Sequence, residues 1–323
     1  MREARLTAEK GEDGLYHCMS RIVGGEFLLG EKEKEFFVRL MWRVAAFLQI
    51  EVIDYAVMSN HYHQFVRVPG VVKLSDEELL GRLKDYYGEQ SVKVMKFENA
   101  LKQGEEAVAP LRTRYLKRMG NLSEFEQILK QGFSSWYNHY HNRRGTLWME
   151  RFKSVLVEDS SEVRKIMASY IDLNPVRADM VEDPKNYRHC GYGAAMGGDE
   201  RCRRGIMEIT GIDNWEEASA AYRLYLTERG HTQVSGKSGA ISREVRLEAL
   251  KKEGRLPLSE LLRLRIRYFS DGLVLGSELF VEEVFEKNRS RFGKKRKSGA
   301  CAIREIPDRS LSVIRDLRLN TVS

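Results

Sequence analysis

The sequence lacks the features that mark several protein classes. No hydrophobic run approaches the roughly 18 apolar residues of a membrane-spanning helix, and the opening segment MREARLTAEKGEDGLYHC has no apolar core typical of a secretion signal. The 4 cysteines include no close pair, which argues against a zinc knuckle, an iron–sulfur site or a disulfide scaffold. Proline is scarce, at 6 residues. We therefore expect a reduced, cytoplasmic, globular protein without a membrane span.

The length of 323 residues predicts about two domains, and charge divides the chain unevenly. Residues 1–240 hold 35 basic and 35 acidic residues, whereas residues 241–323 hold 19 basic and 12 acidic residues. The whole net charge of +7 therefore lies in the last part of the chain. A basic module of this kind is typical of a polyanion-binding appendage. A solvated, arginine-rich helical tail would have the same charge, and charge alone does not distinguish the two interpretations.

Hydrophobic spacing predicts an α+β fold for the first part of the chain. Strand-like segments lie between Gly14 and Gly25, at Ile50–Met58, at His61–Val68 and at Lys153–Glu158. Helical spacing covers Glu31–Leu48, most of residues 76–141, and residues 162–174 before Pro175. This order predicts an antiparallel sheet with helices packed on it. A linker-like segment at residues 230–239 then separates the sheet domain from three helix-like segments, at residues 242–253, 259–268 and 277–288.

Two HxH triplets stand out among the 7 histidines, and secondary structure separates them. His61 and His63 lie on a predicted strand, where residues two apart point to the same face and can hold one ion. His139 and His141 lie on a predicted helix, where residues two apart point about 200° apart. The first triplet is therefore a candidate metal pair, with a purely structural pair of histidines as the alternative. The second is a DNA-facing or merely solvated helix end.

The helix SSEVRKIMASYIDLNP carries a second candidate pair. Tyr170 and Asn174 are one turn apart on its apolar stripe, so their side chains are neighbours. An asparagine on such a stripe needs a hydrogen-bond partner or an ion. The alternative is a buried tyrosine beside an asparagine that only caps the helix.

Basic and aromatic residues alternate in the segment from Arg143 to Lys153. Arginine and lysine can follow phosphates, and aromatic rings can stack on bases, so the segment suits single-stranded nucleic acid. The alternative is an amphipathic segment that leads into a strand and packs its tryptophan in the core, which would give the same pattern.

Four sequence blocks, in the same order, resemble the REP-associated tyrosine transposases, within the HUH single-strand endonuclease superfamily of one-tyrosine transposases. The blocks are YHCMSR, YAVMSNHYHQFV, GTLWMERFKS and YIDLNPVRADMV, and together they fall within residues 14–192. The family connects its second and third blocks by a short segment, so residues 84–124 are expected to be an insertion. Tyr62 stands where that superfamily usually has a hydrophobic residue.

The resemblance implies a role for each matching residue. Tyr170 matches the nucleophilic tyrosine, while His61, His63 and Asn174 match the ligands of Mg²⁺ or Mn²⁺. The family has a ferredoxin-like sheet and acts on single-stranded DNA beside hairpins of palindromic repeats, without a nucleotide cofactor. Further residues are expected to contact DNA: Arg143, Arg144, Trp148, Arg151, Lys153 and Arg177.

These expectations give a division of the chain and three hypotheses. Residues 1–200 form the HUH catalytic domain, 201–240 a helix and linker, and 241–323 a basic, mainly α-helical domain that could bind DNA.

The favoured hypothesis is a metal-dependent transposase that cleaves and rejoins DNA at repeat hairpins through a 5′-phosphotyrosine. It is nucleoid-associated and acts as a monomer or homodimer. One alternative is an inactive, domesticated hairpin-binding protein, and the other is a metal-binding domain unrelated to nucleic acid.

Overall fold

The computed structural model describes residues 5–227, 268–303 and 311–314. Within them the chain forms a mixed α+β structure around a seven-stranded sheet with the order β2-β3-β1-β4-β5-β7-β6. All neighbouring strands are antiparallel except β4 and β5, which are parallel. The expected α+β class and the mostly antiparallel sheet are confirmed. The finer assignment to a ferredoxin-like HUH fold stays a prediction.

The strands and helices have the following bounds. The strands are β1 (Gly14–Arg21), β2 (Glu51–Val57), β3 (His61–Val68), β4 (Lys153–Val157), β5 (Val274–Ser277), β6 (Cys301–Ala302) and β7 (Leu311–Ile314). The first helices are α1 (Glu31–Leu48), α2 (Asp76–Tyr87), α3 (Val92–Gln103), α4 (Glu105–Leu116), α5 (Leu122–Tyr140), α6 (Ser161–Asp172) and α7 (Asn174–Arg177). The later helices are α8 (Gly191–Met196), α9 (Glu200–Thr210), α10 (Trp215–Thr227), α11 (Tyr268–Asp271) and α12 (Glu278–Lys287).

The two faces of the sheet are set by the pairing of β1 with β3. Met19 lies opposite His63 and Arg21 lies opposite His61, and directly opposed residues share a face. Because alternate residues of a strand also share a face, His17 lies on the same side as both histidines of β3. We call this side the histidine face. Helix α6 packs on it, whereas α1 and α5 pack on the opposite face, where Tyr62 points.

The β2–β3 hairpin and helix α6 form where the sequence predicts them. Ile50–Met58 becomes β2, and His61–Val68 becomes β3 with the predicted bounds. Ser160 caps α6 by accepting a hydrogen bond from the backbone N–H of Val163. Helix α6 ends at Asp172, two residues before the expected Asn174, and the four-residue α7 follows with Pro175 in its first turn.

Most of the expected insertion is helical. Residues 76–116 form α2, α3 and α4, of which α2 packs against α1. Helix α2 starts with a capping box, in which Ser75 and Glu78 each bind the other's backbone N–H. These helices attach to the side of α1 and leave β1 and β3 paired along their whole length. The bounds of an insertion at 84–124 stay a prediction.

Within the described part of 241–323, the expected helix at 277–288 is present as α12, but the structure also has three short strands that the sequence does not predict. Strands β5, β7 and β6 continue the sheet beyond β4, and α12 packs on β5 and β7. Val274, Leu275 and the four residues of β7 are buried, so short apolar segments of this kind gain more by joining an existing sheet than by forming helices. The two helices expected at 242–253 and 259–268 lie almost wholly outside the described residues.

No helix in the three described ranges is both long enough and apolar enough to cross a bilayer.

Candidate active site

Tyr170 is held by α6 against the histidine face of the sheet. Its neighbours on the apolar stripe, Val163, Ile166 and Met167, are all buried, as the helical spacing predicts. The ring of Tyr170 meets the rings of His17 and His63 edge-on, with both pairs of centroids 5.7 Å apart. The structure thus brings the expected nucleophile to one of the two expected metal-binding histidines.

Three groups form a buried hydrogen-bonded chain beneath Tyr170. Nδ1 of His63 lies 2.9 Å from Nε2 of His17, and Nδ1 of His17 lies 2.8 Å from the backbone oxygen of Phe269. The two imidazole rings are nearly coplanar, at 12°. Both side chains are almost fully buried. Phe269 comes from α11, so a segment far along the chain takes part in this site.

His61 is oriented by its neighbour in the hairpin turn. Nδ1 of His61 lies 2.6 Å from Oδ1 of Asn60, and an amide oxygen can only accept. Nδ1 therefore carries the proton in the neutral ring, and Nε2 carries the lone pair. Asn60 is itself fixed, because its amide nitrogen donates to the backbone oxygen of Gly25.

Burial keeps two of the imidazoles neutral. Burial, opposed in part by the hydrogen bond to Phe269, lowers the pKa of His17 to about 4. Burial also lowers the pKa of His63 well below its ordinary value, and the neighbouring His61 lowers it further. Both rings are thus neutral at pH 7, which is the form that binds a metal.

Phe269 and Arg177 enclose the ring of Tyr170. Phe269 stacks on it with centroids 4.8 Å apart, and the guanidinium of Arg177 lies 4.4 Å from its centroid. Arg177 also donates to the backbone oxygen of Tyr170. Tyr170 keeps 6% of its surface exposed. The site is therefore a narrow one, bounded by aromatic rings and one cation.

Asn174 is buried, and its amide group is oriented by its own helix turn. Its Nδ2 donates to the backbone oxygens of Tyr170 and Ile171, at 3.0 and 3.2 Å. Since both N–H groups serve the backbone, Oδ1 is the atom of Asn174 that could bind an ion. The buried position of Asn174, one turn after Tyr170, agrees with the prediction that it continues the apolar stripe.

The three side chains expected to bind a metal each present one donor atom of suitable chemistry. His61 and His63 offer imidazole nitrogens, and Asn174 offers an amide oxygen. Among the described residues, no group of three or more His, Cys, Asp or Glu side chains is arranged to hold a metal ion. A site of two imidazoles and one amide is not of that kind, and it would leave positions for phosphate oxygens.

Apart from Arg177, the residues expected to contact DNA fall into two groups, of which the first comprises Lys153 on the histidine face and Arg143 and Arg144 on the turn that follows α5. Lys153 pairs with Met19 at the start of β4, on the same face as His17, and is exposed. Arg143 donates to the backbone oxygen of Thr146 in the turn that follows α5, and Arg144 is exposed beside it. This turn leads to Leu147, whose backbone oxygen accepts from the N–H of Val23, two residues beyond the end of β1.

The second group lies on the opposite face. Trp148 contacts Tyr62, with ring centroids 5.4 Å apart, and its indole N–H donates to the backbone oxygen of Lys130. Arg151, Lys130 and Trp148 line a cavity of about 560 Å³ together with Arg5 and Phe152. The alternating basic and aromatic segment therefore presents its residues to both sides of the sheet.

Three residues of this site, His17, Arg21 and Phe269, are not among those predicted from the sequence. His17 and Arg21 lie in the block YHCMSR, where period-two alternation places them on one face. Arg21 is exposed and lies directly opposite His61. No local signal points to Phe269, because it meets His17 across 252 residues of sequence.

Comparisons with known proteins give one distant likeness. No protein family matches the chain, and no curated protein is similar enough to count as a relative. Among solved structures, the chain is similar to one described as "Structure of the REP associates tyrosine transposase bound to a REP hairpin". The two are 14% identical, with a TM-score of 0.36, over 62% of this chain and 90% of that one. A TM-score this low establishes neither a shared fold nor a shared function, so the geometry of the site must support the functional conclusion.

Proposed function

We propose that this protein is a metal-dependent, single-strand DNA endonuclease and strand transferase that uses Tyr170 as its nucleophile, on an HUH-type fold. The observation that carries the proposal is the contact of Tyr170 with His63, at 5.7 Å between ring centroids, on one face of the sheet. A phenol, neutral imidazoles and a nearby guanidinium, all within one narrow site, suit attack on a phosphodiester.

The chemistry proposed for Tyr170 exchanges one phosphodiester for another. Its Oη attacks the phosphorus, and the bond from phosphorus to the 3′ oxygen of the preceding nucleotide breaks. The products are a 5′-phosphotyrosine and a free 3′-hydroxyl, and the proton lost by the phenol balances the one that the leaving oxygen gains. A second 3′-hydroxyl can reverse the step and join strands, because the phosphodiester bond energy is kept.

A divalent ion is part of the proposal, with His61, His63 and Asn174 as its ligands. A phenol of ordinary pKa near 10 is a weak nucleophile at neutral pH. When bound, Mg²⁺ or Mn²⁺ supplies polarisation of the scissile phosphate and neutralises the charge that develops on it. Imidazole suits Mn²⁺ better than Mg²⁺, which prefers oxygen ligands, so we expect Mn²⁺ to support the reaction better.

Exposed cations are proposed to place the DNA backbone at this site. Arg21, opposite His61, and Lys153, opposite Met19, lie on the same face as the histidines. Arg143 and Arg144 lie on the turn beside the end of β1. Contacts of this kind fix the strand in position and make its affinity fall with salt, without reading the sequence.

The first test is the formation of a covalent protein–DNA adduct. DNA hairpins with single-stranded flanks are incubated with the full chain and Mn²⁺, and adducts that survive denaturation are measured on gels. We expect an adduct with the wild-type chain and none with Tyr170→Phe. The matched control is Tyr140→Phe, which changes an exposed tyrosine at the end of α5 and should react normally.

A second candidate function is hairpin binding without catalysis. The stacking of Phe269 on Tyr170, which leaves only 6% of the tyrosine exposed, favours this alternative. Salt-sensitive hairpin binding without an adduct, with either Mg²⁺ or Mn²⁺, would support it and contradict the proposed reaction.

A further inference from the structure

His17 has no part in the chemistry proposed above, although it is fully buried at the centre of the site. It lies on β1 opposite Phe65, two residue pairs away from the Met19–His63 pair along the β1–β3 ladder. Both of its ring nitrogens have hydrogen-bond partners, at 2.8 Å and 2.9 Å. A buried imidazole with two partners and no substrate contact can act on the reaction only through the groups that it holds.

The direction of each hydrogen bond follows from the acceptor at one end. The backbone oxygen of Phe269 can only accept, so Nδ1 of His17 is the donor. In the neutral ring, Nε2 of His17 then has the lone pair and accepts from Nδ1 of His63. With its proton on Nδ1, His63 has its lone pair on Nε2. The carbonyl of Phe269 thus determines which nitrogen of His63 can bind an ion.

The surroundings make this arrangement a rigid one. The rings of His17 and His63 are 12° from coplanar with centroids 5.1 Å apart, which is the in-line geometry that their hydrogen bond requires. Tyr170 contacts both rings edge-on. Because both imidazoles are buried, water cannot replace a lost partner, and an unpaired nitrogen would carry a desolvation cost. His63 is therefore held in one tautomer and one orientation.

We propose that His17 is a positioning residue, which holds His63 as its Nδ1–H tautomer so that Nε2 of His63 faces outward as a ligand for a divalent cation. This inference rests on the proposed function, because it assigns His63 to the metal. Groups that bind the second nitrogen of a metal-binding histidine fix its tautomer and raise its basicity, and their loss lowers metal affinity by about 10- to 100-fold.

The first test reads the tautomers directly in the full chain. Histidine labelled with ¹⁵N gives distinct shifts for protonated and unprotonated ring nitrogens, and variants of single histidines assign the signals. We expect both His17 and His63 to carry their protons on Nδ1 in the metal-free wild-type protein. A proton on Nε2 of His63 would overturn the inference.

The second test measures the affinity for Mn²⁺ by titration with detection of free Mn²⁺ by electron paramagnetic resonance. His17→Leu fills the space without an acceptor and should lose about 10- to 100-fold in affinity. His17→Gln places an amide oxygen near the position of Nε2 and should stay within a few-fold of wild type. Recovery by glutamine, together with unchanged circular dichroism, separates a positioning role from a merely structural one.

The outcomes also separate this inference from the proposed function. Equal Mn²⁺ affinity in the wild type and His17→Leu would overturn the positioning role and leave the proposed function intact. A wild-type chain that binds no Mn²⁺ in the presence of hairpin DNA would overturn the metal-dependent function itself.

Discussion

Two buried carboxyl groups, those of Asp54 in β2 and Asp172 at the end of α6, lie close together. Asp172 accepts from the backbone N–H of Tyr192 and the hydroxyl of Tyr222, at 3.0 and 2.9 Å. Asp54 accepts from its neighbour Tyr55 and, within the described residues, has no partner for Oδ2. Burial raises the pKa of Asp172 to about 7, and burial with the nearby Asp172 raises the pKa of Asp54 well above its ordinary value. At neutral pH the two carboxyl groups therefore do not readily carry a negative charge at the same time.

The carboxyl pair predicts how stability depends on pH. When folding raises the pKa of a carboxyl group, the folded protein is most stable below the unfolded pKa of about 4, where the group is protonated in both states. The free energy of unfolding then falls as pH rises from that value through the folded pKa. Asp54→Asn removes one such group, so its melting temperature should rise relative to wild type between pH 5 and pH 8. Calorimetry at several pH values measures this difference, with exposed Asp85→Asn as the control. A difference that stays constant with pH would contradict the prediction.

Local sequence patterns predict only part of the site at the residue scale. His61 and His63 follow from HxH on a strand, and Tyr170 follows from the spacing of α6. Arg21 could also have been found, because alternation alone places it with the histidines. The acceptor that orients His17 could not, because a backbone oxygen has no sequence signal and lies 252 residues away.

Helix α9 crosses strand β2 at a very short distance, and a glycine allows it to do so. A Cβ atom at Gly205 would lie 2.1 Å from the backbone oxygen of Ile53, whereas one at Gly81 in α2 would meet nothing within 4 Å. Both glycines are inside helices, but only the first is required by packing. Substituting alanine at each glycine therefore distinguishes two effects on stability: the cost of overpacking at Gly205 and the gain in helix propensity at Gly81.

These two glycines predict opposite effects of the same substitution. Gly205→Ala should destabilise the chain by about 1–3 kcal/mol, since α9 must move away from β2. Gly81→Ala should stabilise it by about 0.5–1 kcal/mol, because alanine loses less backbone entropy in a helix. Urea unfolding followed by circular dichroism measures both free energies. Equal effects of the two substitutions would show that α9 and β2 are not in close contact.

The elements that the sequence predicts best are those with strong periodicity and clear ends. Helix α1 has its predicted bounds of Glu31–Leu48, because its apolar stripe is complete and Gln49 ends it in a left-handed conformation. Helices α3 and α4 could not be placed, because each has only 12 residues and Gly104 alone separates them. Strands β5 and β7 have four residues each, which is too short for a pattern to distinguish strand from helix.

At the scale of the whole molecule, charge suggests two separate domains, whereas the described residues share one sheet. The parallel contact of β4 with β5 joins the two parts, through hydrogen bonds from Leu156 to Leu273 and from Glu158 to Leu275, both at 2.9 Å. Charge reports on the surface and carries no information about strand pairing. The basic segment is therefore part of the sheet and of the site, in addition to any role it has with DNA.

This shared sheet predicts that the strands beyond β4 can be released without unfolding the rest. Val313→Asp places a charge at a fully buried position of β7 and should separate β5 and β7 from β4. Hydrogen exchange should then become faster at the amides of Leu156 and Glu158, while the β1–β3 amides stay protected. Ala302→Asp, at an exposed position of β6, is the matched control. Equal loss of protection in every strand would show that the sheet unfolds as one unit.

The hydrogen bond from His17 to Phe269 also imposes an order in time. A ribosome adds about 5–20 residues per second, so the 252 residues between these two partners take roughly 13–50 s to make. His63 follows His17 by 46 residues, so for most of that interval both histidines already exist, but the carbonyl that orients them does not. A nascent chain therefore holds its histidines without their final orientation, and the site is completed only once α11 has been synthesised and has docked.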